Sequence, residues 1–269
     1  MRQVPRVTRE ISYAHSAQTR AGRGLIRLTE NLTGRIRLMR MARGYENEVG
    51  QGADFWQVMV RRYGLGLDVR GGSLDNIPRE GPLVVISNHP YGILDGLMMG
   101  YILSTTRGDF RIMAHQVFRK ASELENIILP ISFDETKEAT QLNLDTRRTA
   151  ISYLADGGCV GIFPGGTVSM PLKPFGRPMD PSWRRFTAKL ITKSKAQVVP
   201  VFFDGHNSRM FQIASHIHYP LRMALLINQF RTRVGQKVPV VIGEPLPREG
   251  LPKSASDSTT LTDYLRIKT

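Results

Sequence analysis

Leu83-Val84-Val85-Ile86 is an apolar run that begins after the Gly81-Pro82 turn and stops at Ser87-Asn88-His89-Pro90. A run so short, rich in β-branched residues and bounded by turn signals, reads as a strand buried on both faces. Two later runs have the same character: Cys159 to Phe163, between Gly157-Gly158 and Gly165-Gly166, and Val198 to Phe203. Gly64 to Arg70 leads into a strand, and Arg111 to Ala114 and Ile127 to Ile131 add two more. Helical spacing appears at Asp54 to Tyr63, Leu97 to Leu103, Asp145 to Leu154 and Trp183 to Lys193. Strands alternating with helices predict an α/β fold with a mixed, largely parallel sheet flanked by helices. Pro200 places the Val-Pro-Val run at an edge or a bulge.

Chemistry is expected where the first run opens, because an α/β sheet displays its reactive groups beyond the carboxyl ends of its strands. His89 there is followed by Asp95, with Gly92 between them to let the chain turn. An imidazole that removes a proton needs a carboxylate to fix its tautomer and stabilise its charged form. His89 is therefore the candidate base and Asp95 its partner. The Gly165-Gly166-Thr167 turn presents backbone N–H groups that suit an anion or a developing oxyanion.

Taken in order, these blocks resemble the glycerolipid (lysophosphatidate acyltransferase-like) acyltransferase family, over roughly Leu67 to Pro247. That family carries Asn-His, four residues and Asp, then Phe-Pro-Glu-Gly-Thr-Arg-Ser, then Val-Pro-Val. Here five residues, Pro90 to Leu94, separate His89 from Asp95, so the pair needs a bulge or a looser turn at Pro90 or Gly92. The acidic position of the second block is Gly165 and the basic one Val168, which makes a phosphate-bearing acceptor less fitting. A narrower resemblance is to the bacterial hemolysin-like branch that includes lyso-ornithine-lipid and aminolipid O-acyltransferases. It rests on His89-Pro90-Tyr91-Gly92 with Asp95-Gly96, on Phe163 to Ser169, on Gly205 to Gln212, on Pro220-Leu221-Arg222 and on Ile242 to Pro245.

The resemblance implies O-acyl transfer from an acyl thioester, carried by acyl-carrier protein or CoA, to the hydroxyl of a lyso-lipid of the aminolipid type. Lysophosphatidate is the alternative acceptor, and a lipid binder without catalysis the alternative class. His89 and Asp95 are the expected catalytic pair. Asn88, Tyr91, Gly165, Gly166, Thr167, Ser169, Asn207, Ser208 and Arg209 are the expected substrate contacts. No metal or resident cofactor is implied.

The chain's 269 residues carry a formal charge of +14. Such a field favours phospholipid head groups, an acidic carrier or CoA phosphates. The basic residues do not interleave with aromatics as they do in nucleic-acid binders, so no nucleic-acid partner is expected. Lys173, Arg177, Arg184, Arg185, Lys189 and Lys193 read mostly as a solvated face. The single cysteine, Cys159, falls in a buried strand and reads as a small core residue.

Near the N-terminus, Leu25, Leu28, Leu32, Ile36 and Met39 recur at steps of three and four, flanked by Arg27 and Arg35. These residues share one face of a basic amphipathic helix suited to an anionic membrane surface or to packing on the domain. The organisation expected is a basic helical segment over 1–65, a catalytic domain over 66–250 and a C-terminal tail over 251–269, in which the Ser/Thr/Asp-rich stretch Ser254 to Thr262 reads as solvated. No apolar stretch approaches a membrane span, and a peripheral place at the cytoplasmic face of the inner membrane follows as the expectation.

Overall fold

The computed structural model describes residues 12–14, 17, 19–120, 122–173, 175–217, 219–252 and 258–269. Most of the first eighteen residues of the expected basic helical segment over 1–65 lie outside the described residues. In chain order the elements are α1 (Arg20–Glu30), α2 (Ile36–Ala42), α3 (Tyr45–Gly50), α4 (Phe55–Arg62), β1 (Gly66–Gly72), β2 (Leu83–Ser87), α5 (Ile93–Thr106), β3 (Arg111–His115), β4 (Ile128–Ile131), α6 (Lys137–Ala155), β5 (Cys159–Ile162), α7 (Arg185–Ser194), β6 (Gln197–Phe203), α8 (Arg209–Ile217), α9 (Tyr219–Arg233), β7 (Lys237–Ile242) and α10 (Ser258–Lys268).

The strands form one seven-stranded sheet in the order β1-β7-β6-β2-β5-β3-β4. All neighbours are parallel except β6 and β7, so the sheet is mixed and largely parallel. β2 sits near its middle, every residue buried. Leu83 and Val85 point into a core shared with α4, α5 and α9, while Val84 and Ile86 point into one shared with α6, α7 and α10. Two covered faces explain why the run lacks the polar alternation of a half-exposed strand. Cys159 is buried in β5, and burial pushes its thiol up to about 12, which leaves it protonated and unreactive at neutral pH.

Three expectations are corrected. β6 is an interior strand, not an edge: Pro200 pairs in register with Ile86 of β2 on one side. On the other side the β7 ladder begins only at Val201, and the Pro200 carbonyl accepts the Gly243 N–H at 2.9 Å. Pro200 therefore points its missing N–H toward the chain that has just left β7, where no ladder bond is forfeited. The expected solvated tail is helical from Ser258 onward, because Leu261 and Leu265 are spaced to bury against α7.

The third correction concerns the N-terminal helix, which is not continuous. It passes through a wide turn at Asn31–Arg35 where Gly34 takes φ +144, and a Cβ there would run into the Arg231 side chain of α9. Ile26, Glu30 and Leu38 are buried, whereas Leu25, Leu28, Leu32 and Ile36 face outward. Arg35 does not join that outer face: it is buried and donates to Asn31 Oδ1 at 3.1 Å, and Met39 is half-buried. No described helix is long and apolar enough to cross a membrane.

Glu30 has a specific task. Its buried carboxylate accepts Ser12 Oγ and the Tyr13 N–H, each at 2.6 Å, and so pins the strap that carries Tyr13 onto α5. Glu30→Ala leaves that N–H without its buried acceptor, and a loss of about 1–3 kcal/mol in unfolding free energy is expected by thermal or urea denaturation. An unchanged midpoint would show that the strap is not held this way.

Candidate active site

The carboxyl ends of β2, β3 and β5 open into a cavity of about 910 Å³. His89 comes off the end of β2. Gly92 makes the turn that follows with φ +86, a left-handed conformation that costs a glycine little, and Asp95 lands in the first turn of α5. The extra residue between His89 and Asp95 is thus absorbed at Gly92. Asp95 Oδ2 accepts the N–H groups of Tyr91 at 2.8 Å and Gly92 at 2.9 Å and lies 2.9 Å from His89 Nδ1. The ring nitrogen is close but not aimed along the line to the oxygen, as is common in catalytic pairs without substrate. With Nδ1 turned to Asp95, Nε2 is the atom the ring presents to the cavity.

The carboxylate is fully buried and the imidazole 19% exposed. Burial pushes the Asp95 pKa up, and the His89 ring beside it, with the two backbone N–H groups, offsets part of that rise. Phe163 packs on the imidazole with ring centres 4.5 Å apart. This contact and the Asp95 contact leave the ring little freedom.

Asp180, absent from the expected set, holds the backbone of the site together. Its buried carboxylate accepts the His89 N–H at 3.1 Å, Ser169 Oγ, and Trp183 Nε1 at 3.0 Å. The Ser169 N–H in turn donates to the His89 carbonyl at 2.8 Å. The block after β5 is thereby locked to the turn after β2. A Cβ at Gly165 would sit 3.1 Å from Asp180 Oδ2, so the carboxylate occupies the space that the glycine leaves open.

A guanidinium returns in the same manner. Arg222 of α9 is buried, lines the cavity, and donates to Thr167 Oγ1 at 3.1 Å and to the Val168 carbonyl at 2.8 Å. A carboxylate thus stands beside Gly165 and a guanidinium beside Val168, from Asp180 and Arg222. Arg184 lines the cavity as well, its guanidinium 4.7 Å above the Phe133 ring. Tyr13 lines it from the N-terminal strap and accepts the Ile93 N–H at 3.2 Å. The remaining wall is largely apolar, with Phe55, Trp56 and Met59 of α4, Leu97 of α5, and Leu226 and Phe230 of α9.

Of the expected substrate contacts, Gly166 and Thr167 line this cavity. The Gly166 N–H is already given to the Phe163 carbonyl at 3.0 Å, so it is not an oxyanion donor. The other expected contacts lie elsewhere for identifiable reasons. Asn88 spends its side-chain amide on both backbone groups of Phe203, at 2.8 and 2.9 Å, and tethers the β2 and β6 ends. Tyr91 is buried under Arg233, its hydroxyl 3.3 Å from the Asp204 carbonyl. Gly165 and Ser169 pack around Asp180. Ser208 caps α8 through the Phe211 N–H at 3.3 Å, Gln212 Nε2 donates to the Asn207 carbonyl at 3.0 Å, and Arg209 Nη1 donates to the Phe175 carbonyl at 3.1 Å.

A family model described as Acyltransferase matches residues 48–269. A lyso-glycine lipid O-acyltransferase of Bacteroides thetaiotaomicron is 26% identical over 76% of this chain and 74% of its own length. Another of the same name, from Phocaeicola vulgatus, is 24% identical over 78% of this chain and 74% of its own. Among solved structures, the 1-acyl-sn-glycerophosphate (LPA) acyltransferase PlsC of Thermotoga maritima aligns over 91% of this chain and 92% of its own, with a TM-score of 0.46 and 16% identity.

Proposed function

The chain belongs to the acyltransferase family, and from that premise we propose that it moves a fatty acyl group from an acyl thioester to the hydroxyl of a lyso-lipid whose head group ends in a carboxylate, the lyso-aminolipid class. His89 Nε2 removes the acceptor's hydroxyl proton while Asp95 holds the ring and stabilises the imidazolium that forms. The alkoxide attacks the thioester carbonyl, and the resulting oxyanion meets the N–H and hydroxyl of Thr167. Collapse expels the thiolate, which takes its proton from the imidazolium. The apolar walls from α4, α5 and α9 suit the acyl chain, and acyl-carrier protein and acyl-CoA both suit the basic surface as donor.

The observation that carries the head-group assignment is Arg222. A buried guanidinium beside Thr167 suits one carboxylate held by charge-assisted hydrogen bonds, and the resemblance to lyso-glycine lipid O-acyltransferases agrees with it. Bonds of that kind contribute about 1.5–3 kcal/mol. Arg222→Gln is therefore expected to raise the KM for a lyso-aminolipid about tenfold to hundredfold, with the donor's KM unchanged. The penalty should vanish when the acceptor's carboxylate is a methyl ester. Equal losses on acid and ester, or faster turnover of lysophosphatidic acid than of lyso-aminolipids by the wild type, would count against the assignment.

The protein is further proposed to act as a peripheral enzyme at the cytoplasmic face of the inner membrane. The outward Leu25, Leu28, Leu32 and Ile36, with exposed Arg23 and Arg27 beside them, support contact with an anionic lipid surface there.

A further inference from the structure

The block that carries Thr167 continues into a loop closed by Met170 and Met179, whose backbones exchange hydrogen bonds of 3.0 and 3.2 Å. Its tip leaves apolar side chains in solvent. Leu172 is 98% exposed and Phe175 71%. Phe175 sits at φ +68, a left-handed conformation that costs an aromatic residue free energy, and there it is held with its ring in solvent. Its carbonyl accepts Arg209 Nη1 at 3.1 Å, which joins the loop to the start of α8.

α8 is amphipathic in the unexpected sense. Phe211 and Ala214 bury inward, while Met210, Ile213 and Ile217 recur at steps of three and four on the outer face, Met210 65% and Ile217 69% exposed. Lys173, Arg177 and Arg209 are exposed among these apolar residues. Neither 169–179 nor 205–217 contains an aspartate or glutamate. A soluble surface rarely concentrates exposed apolar side chains in this way, and the purely cationic surround selects what covers them.

We propose that the tip of the 170–179 loop and the outer face of α8 form a membrane-docking surface that inserts Leu172, Phe175, Met210, Ile213 and Ile217 into an anionic lipid leaflet, with Lys173, Arg177 and Arg209 at head-group level. This surface is distinct from the outward face of α1 and α2. It rests on the reading that the acceptor is a membrane lipid. Because the loop leaves the cavity wall at Thr167, docking through it brings the site to the leaflet in which the lyso-lipid resides.

The test uses the full chain and vesicles of phosphatidylcholine with and without phosphatidylglycerol. Flotation should show binding only with the anionic lipid, and Leu172→Ser/Phe175→Ser should weaken it at least about tenfold, as should Ile213→Ser/Ile217→Ser. A Phe175→Trp protein should shift its emission to the blue on the same vesicles. Turnover of acceptor in detergent micelles should stay at the wild-type level in both double variants. Vesicle binding equal to wild type, or an emission shift produced by acyl-carrier protein or by self-association without vesicles, would overturn the proposal. If the protein docks as described but acylates no lyso-lipid, the reading of its function fails and the docking surface stands.

Discussion

His89→Ala, folded as the wild type, is expected to lose about a thousandfold or more in kcat for acyl transfer with little change in the KM of either substrate. A positioned general base contributes about 10²–10⁴ in rate, and an alcohol, unlike a thiol or amine, has almost no nucleophilic form without one. The KM should hold because the ring meets the acceptor only through the proton it removes. Asp95→Asn is the companion. It keeps the volume and can keep an oxygen toward the Tyr91 and Gly92 N–H groups, but it removes the charge that steadies the imidazolium, and a loss of about 10²–10⁴ is expected. The pair also sets the pH profile. Activity should fall as the pH drops and Asp95 takes up a proton, since the neutral acid no longer steadies the imidazolium that forms on His89. Burial raises the Asp95 pKa, so this acid limb should begin above the ordinary carboxylate range. A His89→Ala enzyme with wild-type kcat would remove His89 from the chemistry.

The second large effect is expected at Asp180, which acts through other groups. Its carboxylate receives the part-buried His89 N–H and the buried Ser169 hydroxyl and Trp183 indole. Asp180→Ala strands three donors, and a loss of roughly 3–5 kcal/mol in stability is expected, enough to compromise folding. Asp180→Asn is the informative variant. The amide can satisfy donors with its oxygen, but its NH₂ then faces a donor where an acceptor was needed. A stability loss of about 1–3 kcal/mol should accompany a fall in kcat of about 10²-fold, since an error of one ångström in a base's position costs on that order. A merely structural role would lower the folded fraction and leave kcat per folded molecule unchanged. The acid limb of the pH profile should stay in place in Asp180→Asn and move in Asp95→Asn, which separates positioning from proton transfer.

The contact between His89 and Asp95 was legible because the two lie within one turn of chain, between a buried strand and the helix it feeds. The sheet was legible for a related reason: strands covered on both faces must be apolar without alternation, and β2, β5 and β6 are. Pro200 misled because a proline's position in a ladder depends on where its neighbour strand ends, and β7 pairs with β6 only from Val201. The 258–268 helix was missed because serines and threonines mask the Leu261–Leu265 spacing. Asp180 and Arg222 are the deeper omissions. Each stands far along the chain from His89, and only the fold brings Asp180 against Gly165 and Arg222 against Val168. The proline-flanked Met179-Asp180-Pro181 and the Pro220-Leu221-Arg222 block were visible, but neither names its partner. Asn88, Ser208 and Arg209 went the other way: polar residues beside a site are often consumed by the backbone of the turns that build it, and Ser169 is spent on Asp180.

The most direct test of the account is mass spectrometry of purified protein and lipids together. The protein is incubated first with acyl-carrier-protein or CoA thioester alone, then with a lyso-aminolipid added. Direct base-assisted transfer predicts an unchanged protein mass with donor alone. It then predicts thiol release matched one for one by a lipid acylated on its hydroxyl oxygen, and neither product from His89→Ala. An acyl adduct on the protein, or thiol release with no acylated lipid for any lyso-lipid offered, would contradict it.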